Sequence, residues 1–547
     1  MHKARRIGIG AALAGLCLAA APLAAADPTV RIHDGLLQGA ASPDAGVVAF
    51  KGIPYAKPPV GDLRWRAPVA AEPWSGARAA KAFGAICPQL PPDPKGLYFD
   101  GVAPQSEDCL TLNVWAPKAA RKLPVMVWIH GGALIGGSSA EPVYDGTKLA
   151  KQGIIFVSIN YRVGLYGYLA HPALSAESPQ HLSGNYGLLD QIAALRWVRD
   201  NIAAFGGDPA RVTIAGESAG GLSVMALLAS PEAHGLFRGA ISESGYMPSY
   251  RTLHDASRNL PSAEEGGLAL AKAAGLSTAA DLRKADLVTL FKAGIATGWQ
   301  PEPVVDGVTL KRQIAEVFAH GEQAHVPVLA GFNEGEIRSL MFLMPQNVPD
   351  TQAAYVADIR KRFGDQADAF LKIYPGVDPK ADAMMATRDA IYGWAAQNAV
   401  RRGAAIRQPA YLYFFHHSTP TQRARNLAAF HASEIPYIFG QVGPGAAIGP
   451  NWPLPPNDAT ETKLSDAMLH YWVSFVKTGV PTAPGEVAWP RYTLANPAYL
   501  DIGDTPLAKR DLTAAAFAWD DALVNHRIAT GQSWRYDTGY LAFPPAK

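Results

Sequence analysis

Gly216-Glu217-Ser218-Ala219-Gly220 sets a hydroxyl between two glycines, directly after a run that reads as a strand and before one that reads as a helix. A serine on so sharp and strained a turn stands above the edge of a sheet, where a reacting carbonyl can reach it. Small residues two positions to either side let the strand and the helix approach closely. A hydroxyl is a poor nucleophile at neutral pH, so such chemistry needs a base and an acid that orients it. It also needs donors for the negative charge that grows on the carbonyl oxygen. His130-Gly131-Gly132-Ala133 follows another strand candidate and offers backbone N–H groups at a turn largely free of Cβ atoms. Either pattern alone is also a plain glycine turn. Together they point to acyl transfer.

Spacing narrows the base and acid without choosing them. On α/β hydrolase scaffolds the chain order is Ser, then Asp or Glu, then His. Glu334 and Glu336 both follow a strand candidate ending near Gly331, and His416, His417 and His431 all follow one ending at Phe415. Two acids and three imidazoles stay open on this reading.

The elements that must carry these residues alternate along the middle of the chain. Apolar, β-branched runs at 123–129, 154–160 and 211–215 read as buried parallel strands, with further candidates at 239–242, 326–331 and 411–415. Between them, Leu188, Ile192, Leu195, Val198 and Ile202 recur at near-helical spacing within 186–205 and stop at Gly206-Gly207. A helix is expected at 221–230, and another through Leu464, Met468, Trp472 and Phe475 ending at Gly479. This is the pattern of an α/β protein with a parallel sheet covered on both faces. Residues 262–294 are rich in Ala, Leu, Lys and Asp and read as a helical excursion over the sheet. The Pro- and Gly-rich stretch 440–456 reads as a surface loop.

The start of the chain is a different matter. Lys3, Arg5 and Arg6 precede an apolar run at 7–23 and the small-residue site Ala24-Ala25-Ala26, the layout of a cleaved secretory signal over 1–26. A membrane anchor is the other reading, weakened by the Ala/Gly composition and Pro22. Removing the signal takes three positive charges and moves the formal net charge from +2 to −1, which leaves nothing to attract nucleic acid. No other stretch reads as a stable membrane span. Residues 27–547 show no repeat or polar linker and read as one catalytic domain. Cys17 lies in the signal, so Cys87 and Cys109 remain, 22 positions apart. Exported, they suggest one disulfide worth about 3 kcal/mol; two free buried thiols are the alternative. No zinc-type spacing appears, so neither a metal nor a cofactor is implied.

The chain resembles the type-B carboxylesterase/lipase family, the cholinesterase-like α/β-hydrolases, over nearly everything after the signal. The resemblance is carried by Phe50-Lys51-Gly52-Ile53-Pro54-Tyr55-Ala56 with Pro59, Gly61, Arg64 and Trp65, and by Glu107-Asp108-Cys109-Leu110-Thr111-Leu112-Asn113-Val114. It continues through Gly184-Asn185-Tyr186-Gly187-Leu188-Leu189-Asp190-Gln191 and Gly206-Gly207-Asp208-Pro209 into the Ser218 turn. It implies an α/β-hydrolase fold with a mostly parallel central sheet, helices on both faces and helical insertions forming a substrate gorge. It implies hydrolysis of a small-molecule carboxylic ester, with Ser218 as nucleophile. Gly331-Phe332-Asn333 places the acid at Glu336 rather than Glu334, although Glu334-Gly335-Glu336-Ile337 departs slightly from the usual pattern. His431-Ala432-Ser433-Glu434-Ile435-Pro436 matches the family histidine. The oxyanion donors map to Gly132, Ala133 and Ala219, with Ala133 in place of a common glycine, and Cys87 is implied to pair with Cys109.

Other readings remain within this frame. One is a lipase, or an esterase for a polyester, toxin or aromatic ester. Another is a non-catalytic adhesion module on the same scaffold, against which Ser218 and His431 both stand. Cholinesterase activity is disfavoured, because 88–108 offers only Tyr98 and Phe99 as aromatics where a cation-stacking Trp is wanted.

Overall fold

The structure is a computed structural model that describes residues 27–41 and 46–541; the expected signal at 1–26 lies outside them. Fourteen strands form among the described residues: β1 (Thr29–Ile32), β2 (Gly35–Gln38), β3 (Ala40–Ala41), β4 (Val47–Pro54), β5 (Ala77–Ala79), β6 (Thr111–Pro117), β7 (Leu123–Ile129), β8 (Ile155–Ile159), β9 (Gly207–Glu217), β10 (Gly239–Glu243), β11 (Val328–Asn333), β12 (Ala410–Phe415), β13 (Ala498–Ile502) and β14 (Pro506–Arg510). Eleven make one sheet in the order β14-β13-β12-β11-β10-β9-β7-β8-β6-β4-β3, and β1-β2-β5 make a small second sheet. The run β8-β7-β9-β10-β11-β12-β13 is parallel throughout. Antiparallel strands close both ends. This is the α/β-hydrolase architecture.

The apolar runs are continuous because both faces of the sheet are covered. In β7, Val125, Val127 and Ile129 enter one core, and Met126 and Trp128 enter the other, as a side-chain period of two requires. The first core receives Leu188, Ile192, Leu195 and Val198 from the helix Tyr186–Asn201, and most of the helix Ala219–Ala229. The second receives Leu464, Met468, Trp472 and Phe475 from the helix Ala459–Thr478. These helices end near Gly206 and at Gly479, as the sequence indicates.

Two differences have physical causes. β9 is longer than the expected 211–215, because Gly207 pairs with Leu123 before the register shifts around Asp208 to Arg211. The excursion at 262–294 is three helices, Ala263–Ala273, Ala279–Lys284 and Leu287–Thr297, each opened by a side-chain cap from Ser262, Thr278 or Asp286. They pack on Trp65, Leu165, Leu169, Leu174 and Tyr186 as a cluster of their own. A second group, Gln352–Phe363, Ala367–Ile373 and Pro379–Arg388, packs with the helix Ala514–Ala529.

Several quoted motifs prove architectural. Arg64 Nε donates to Glu107 Oε2 at 2.7 Å, and Arg162 makes a buried two-pronged pair with Asp190 at 2.7 Å on each arm. Cys87 and Cys109 are disulfide-bonded, with Cα atoms 5.0 Å apart.

The strand–helix contact at the serine turn is close enough to test. A Cβ on Gly220 would stand 2.0 Å from the Ile129 carbonyl oxygen of β7, and sheet backbone does not yield cheaply. Gly220→Ala is expected to cost about 1–3 kcal/mol, read as a lower midpoint of urea unfolding. An unchanged midpoint would mean that the helix can slide away from β7.

Candidate active site

Parallel strands in register deliver their C-terminal ends to one edge. Ile129 pairs with Gly216, Glu217 with Glu243, and Glu243 with Gly331. The residues just past β7, β9, β10 and β11 are therefore neighbours, where α/β sheets place their ligands.

Ser218 holds φ 57° and ψ −119° at the start of the helix Ala219–Ala229, a conformation that persists only where the surroundings impose it. Its N–H donates to the Glu243 carbonyl at 2.9 Å, and its own carbonyl accepts from Leu222 N at 2.8 Å. No bond from its side chain caps the helix. The loop after β7 runs alongside: a Cβ on Gly131 would lie 3.3 Å from Ser218 Cβ. Its backbone stays at positive φ through Gly132, Ala133 and Leu134 (99°, 54° and 59°). Ile135 N and Gly136 N both donate to the Gly132 carbonyl, at 2.9 and 3.1 Å. Among the described residues, the Gly132 and Ala133 amides meet no hydrogen-bond acceptor.

Glu336 has no solvent exposure. Its Oε1 accepts from Ser244 Oγ at 2.6 Å and from Asn333 N at 2.8 Å, and its Oε2 binds His431 Nδ1 through a short hydrogen bond. His431 reaches it because Phe430 forms an isolated parallel bridge with Gly335, where Gly335 N donates to Ala429 O at 2.7 Å. A Cβ on Gly335 would stand 2.4 Å from Leu427 O, so the Gly between the two candidate acids is what lets these chains meet. The outer imidazole nitrogen, Nε2, lies 3.1 Å from Glu217 Oε1. Among the described residues, no hydrogen bond joins it to Ser218 Oγ.

The other candidates go elsewhere. Glu334 is exposed. His416 Nε2 pairs with Asp501 at 3.0 Å, and His417 is bound by Asp504 at 2.7 Å and Glu461 at 3.1 Å. Three contributors had no role assigned from the sequence: Ser244, the Glu217 carboxylate, and Tyr392, whose ring lies 5.3 Å from the His431 ring. Glu217 was visible inside the serine motif. Tyr392 sits in the one-turn π-helix Asp389–Gly393, which carries no periodic signal. Among the described residues, no cluster of three or more His, Cys, Asp or Glu side chains is arranged to hold a metal ion.

The profile of the carboxylesterase family matches residues 26–519. The chain belongs to the carboxylesterase family. It is a carboxylic ester hydrolase. The esterase is 38% identical over 486 residues to a fumonisin B1 esterase of Sphingopyxis macrogoltabida, covering 85% of each chain. It is also 38% identical over 462 residues to a para-nitrobenzyl esterase of Bacillus subtilis (strain 168), covering 82% of this chain and 89% of that one. Among solved structures, a Geobacillus stearothermophilus carboxylesterase superposes with a TM-score of 0.76 at 32% identity, covering 90% of this chain and 99% of the other.

Burial sets the electrostatics of these side chains. It pushes the Glu217 carboxyl well up, against the pull of His431. It also lifts Glu434, with help from Glu336, to about 7. For His431 burial acts downward, yet Glu217 and then Glu336, facing its two ring nitrogens, outweigh it and push the imidazole up to about 9. The two groups are linked electrostatically: a neutral Glu217 would release the imidazole from its strongest attraction. In Glu217→Gln the His431 ring should titrate at least about one pH unit lower, followed through its ring resonances in NMR. An imidazole that titrates at the same pH in both proteins would mean that Glu217 does not hold its proton.

Proposed function

We propose that Ser218, His431 and Glu336 form the hydrolytic triad, and that the N–H groups of Gly132, Ala133 and Ala219 form the oxyanion hole. Ser218 Oγ attacks the ester carbonyl while His431 Nε2 takes its proton, and Glu336 holds the ring through Nδ1 and stabilises the imidazolium. The carbonyl oxygen, now negative, accepts from the three amides. The alcohol leaves with the proton from His431, and water activated by the same imidazole releases the acid from Ser218.

The observation that carries this reading is the buried Glu336–His431 bond, formed between residues 95 positions apart, at the same sheet edge as the strained Ser218. The parking of Nε2 on Glu217, the residue joined to Ser218, is compatible with it, because catalytic hydrogen bonds commonly tighten only when substrate binds. The substrate class is small-molecule carboxylic esters, in keeping with relatives named for para-nitrobenzyl and fumonisin esters.

We also infer export. The basic start, apolar run and Ala24-Ala25-Ala26 site support a cleaved leader, and the Cys87–Cys109 bond suits an oxidising compartment. Among the described residues no helix is long and apolar enough to cross a membrane. N-terminal sequencing of the mature protein from its producing cells should start at Asp27; an intact Met1 would refute the leader.

Ser218→Ala is expected to abolish turnover of a chromogenic short-chain ester and labelling by a fluorophosphonate, and near-wild-type turnover would end the proposal. Glu336→Gln should lose about 10³–10⁴ in kcat, whereas Glu334→Gln should stay within about twofold of wild type. The reverse pattern would move the acid to Glu334.

A further inference from the structure

His431 needs outside support. It lies in a turn before the short helix Ile435–Ile438, where Ala428 and Ala432 both sit at positive φ, so beyond the single Phe430–Gly335 bridge no ladder or helix holds its main chain. The oxyanion loop has the same weakness, being an irregular turn at positive φ. The two must keep their relative position to a fraction of an ångström, since a misplacement of about 1 Å can cost 10²-fold in rate.

One segment touches both. Near its start, Gln89 clasps the oxyanion loop at Gly137, accepting from Gly137 N at 2.8 Å and donating to Gly137 O at 3.1 Å. Nine residues on, the Tyr98 hydroxyl donates to the His431 main-chain carbonyl at 3.0 Å and lies 2.7 Å from Ser339 Oγ. The Tyr98 ring packs 5.8 Å from Trp452 and 6.4 Å from Phe430, the residue before His431. Asn451 Nδ2 pins the intervening backbone by donating to Pro94 O at 2.8 Å and Gly96 O at 2.9 Å. The Cys87–Cys109 bond ties the two ends of this loop together.

We propose that the Cys87–Cys109 loop is a brace across the esterase site, in which Gln89 holds the oxyanion loop, Tyr98 holds His431, and the disulfide fixes the span between them. Gln89 and Tyr98 are positioning residues; neither touches the reacting atoms. The inference rests on the assignment of His431 and of the oxyanion loop given above.

The test compares Tyr98→Phe, which keeps the ring and removes the hydroxyl, with Gln89→Met and with the double variant Cys87→Ser/Cys109→Ser. Steady-state kinetics on a chromogenic ester, the rate of fluorophosphonate labelling and the thermal midpoint are read for each, with Ser218→Ala alongside. Tyr98→Phe and Gln89→Met should each lower kcat about tenfold, with KM within about twofold and an unchanged thermal midpoint, and labelling should slow in parallel. The cysteine double variant should lower kcat at least as much. Wild-type kcat in Tyr98→Phe, beside an inactive Ser218→Ala, would overturn the brace and leave the triad standing. A kcat loss in Tyr98→Phe and Gln89→Met that comes only with a lower midpoint would reduce the loop to general stability and overturn it too. Turnover persisting in Ser218→Ala would overturn the triad and the brace with it.

Discussion

A carboxylate with no access to water is tolerable only when its lone pairs are met, and Glu336 is such a group. Its partners come from three places: Ser244 just past β10, Asn333 at the end of β11, and His431 from the chain beyond β12. The anion can be satisfied only if those three chain ends meet at one edge, in register. Removing His431 would leave a buried carboxylate without its charged partner, a loss of several kcal/mol. The geometry around the imidazole is therefore enforced by folding itself.

The strain at this edge is supported by the same architecture. Ser218, Ala133, Leu134 and Ser244 all sit at positive φ, each costing about 1–3 kcal/mol. They lie where β7, β9 and β10 end, and those strands are buried on both faces by large apolar cores. A stiff sheet can hold a serine in a conformation that leaves its hydroxyl uncommitted to the helix it begins. Buried carboxyls also crowd this edge of the sheet. Glu217, Glu243 and Glu434 are all raised by burial, which limits how many negative charges the site carries at once.

The motifs that carry the family resemblance divide by task. The residues around Ser218, Glu336 and His431 gather at one sheet edge, where the triad is proposed. Arg64 pairs with Glu107 and Arg162 with Asp190, and Asn185 exchanges two hydrogen bonds with Val304 at 2.7 and 2.8 Å, tying the start of a core helix to the chain after the helical excursion. A buried two-pronged Arg–carboxylate pair is strongly directional, so these positions specify geometry as much as stability.

The strands at 123–129 and 411–415, the helices that end near Gly206 and at Gly479, and the serine turn were legible from local pattern, because each depends on neighbours a few residues away. The choice of Glu336 over Glu334 and of His431 over His416 and His417 was not; only resemblance pointed to it. Which acid and imidazole meet depends on the bridge between Gly335 and Phe430, while Asp501 takes His416 and Asp504 with Glu461 takes His417. The contacts of Ser244 and Tyr98 were not legible for the same reason: a side chain's partner across 92 or 333 positions leaves no periodic trace. Local chemistry determined what kinds of groups this protein holds, and only the tertiary structure decided which of them meet, because hydrogen bonds between distant segments exist only once the sheet has brought their ends together.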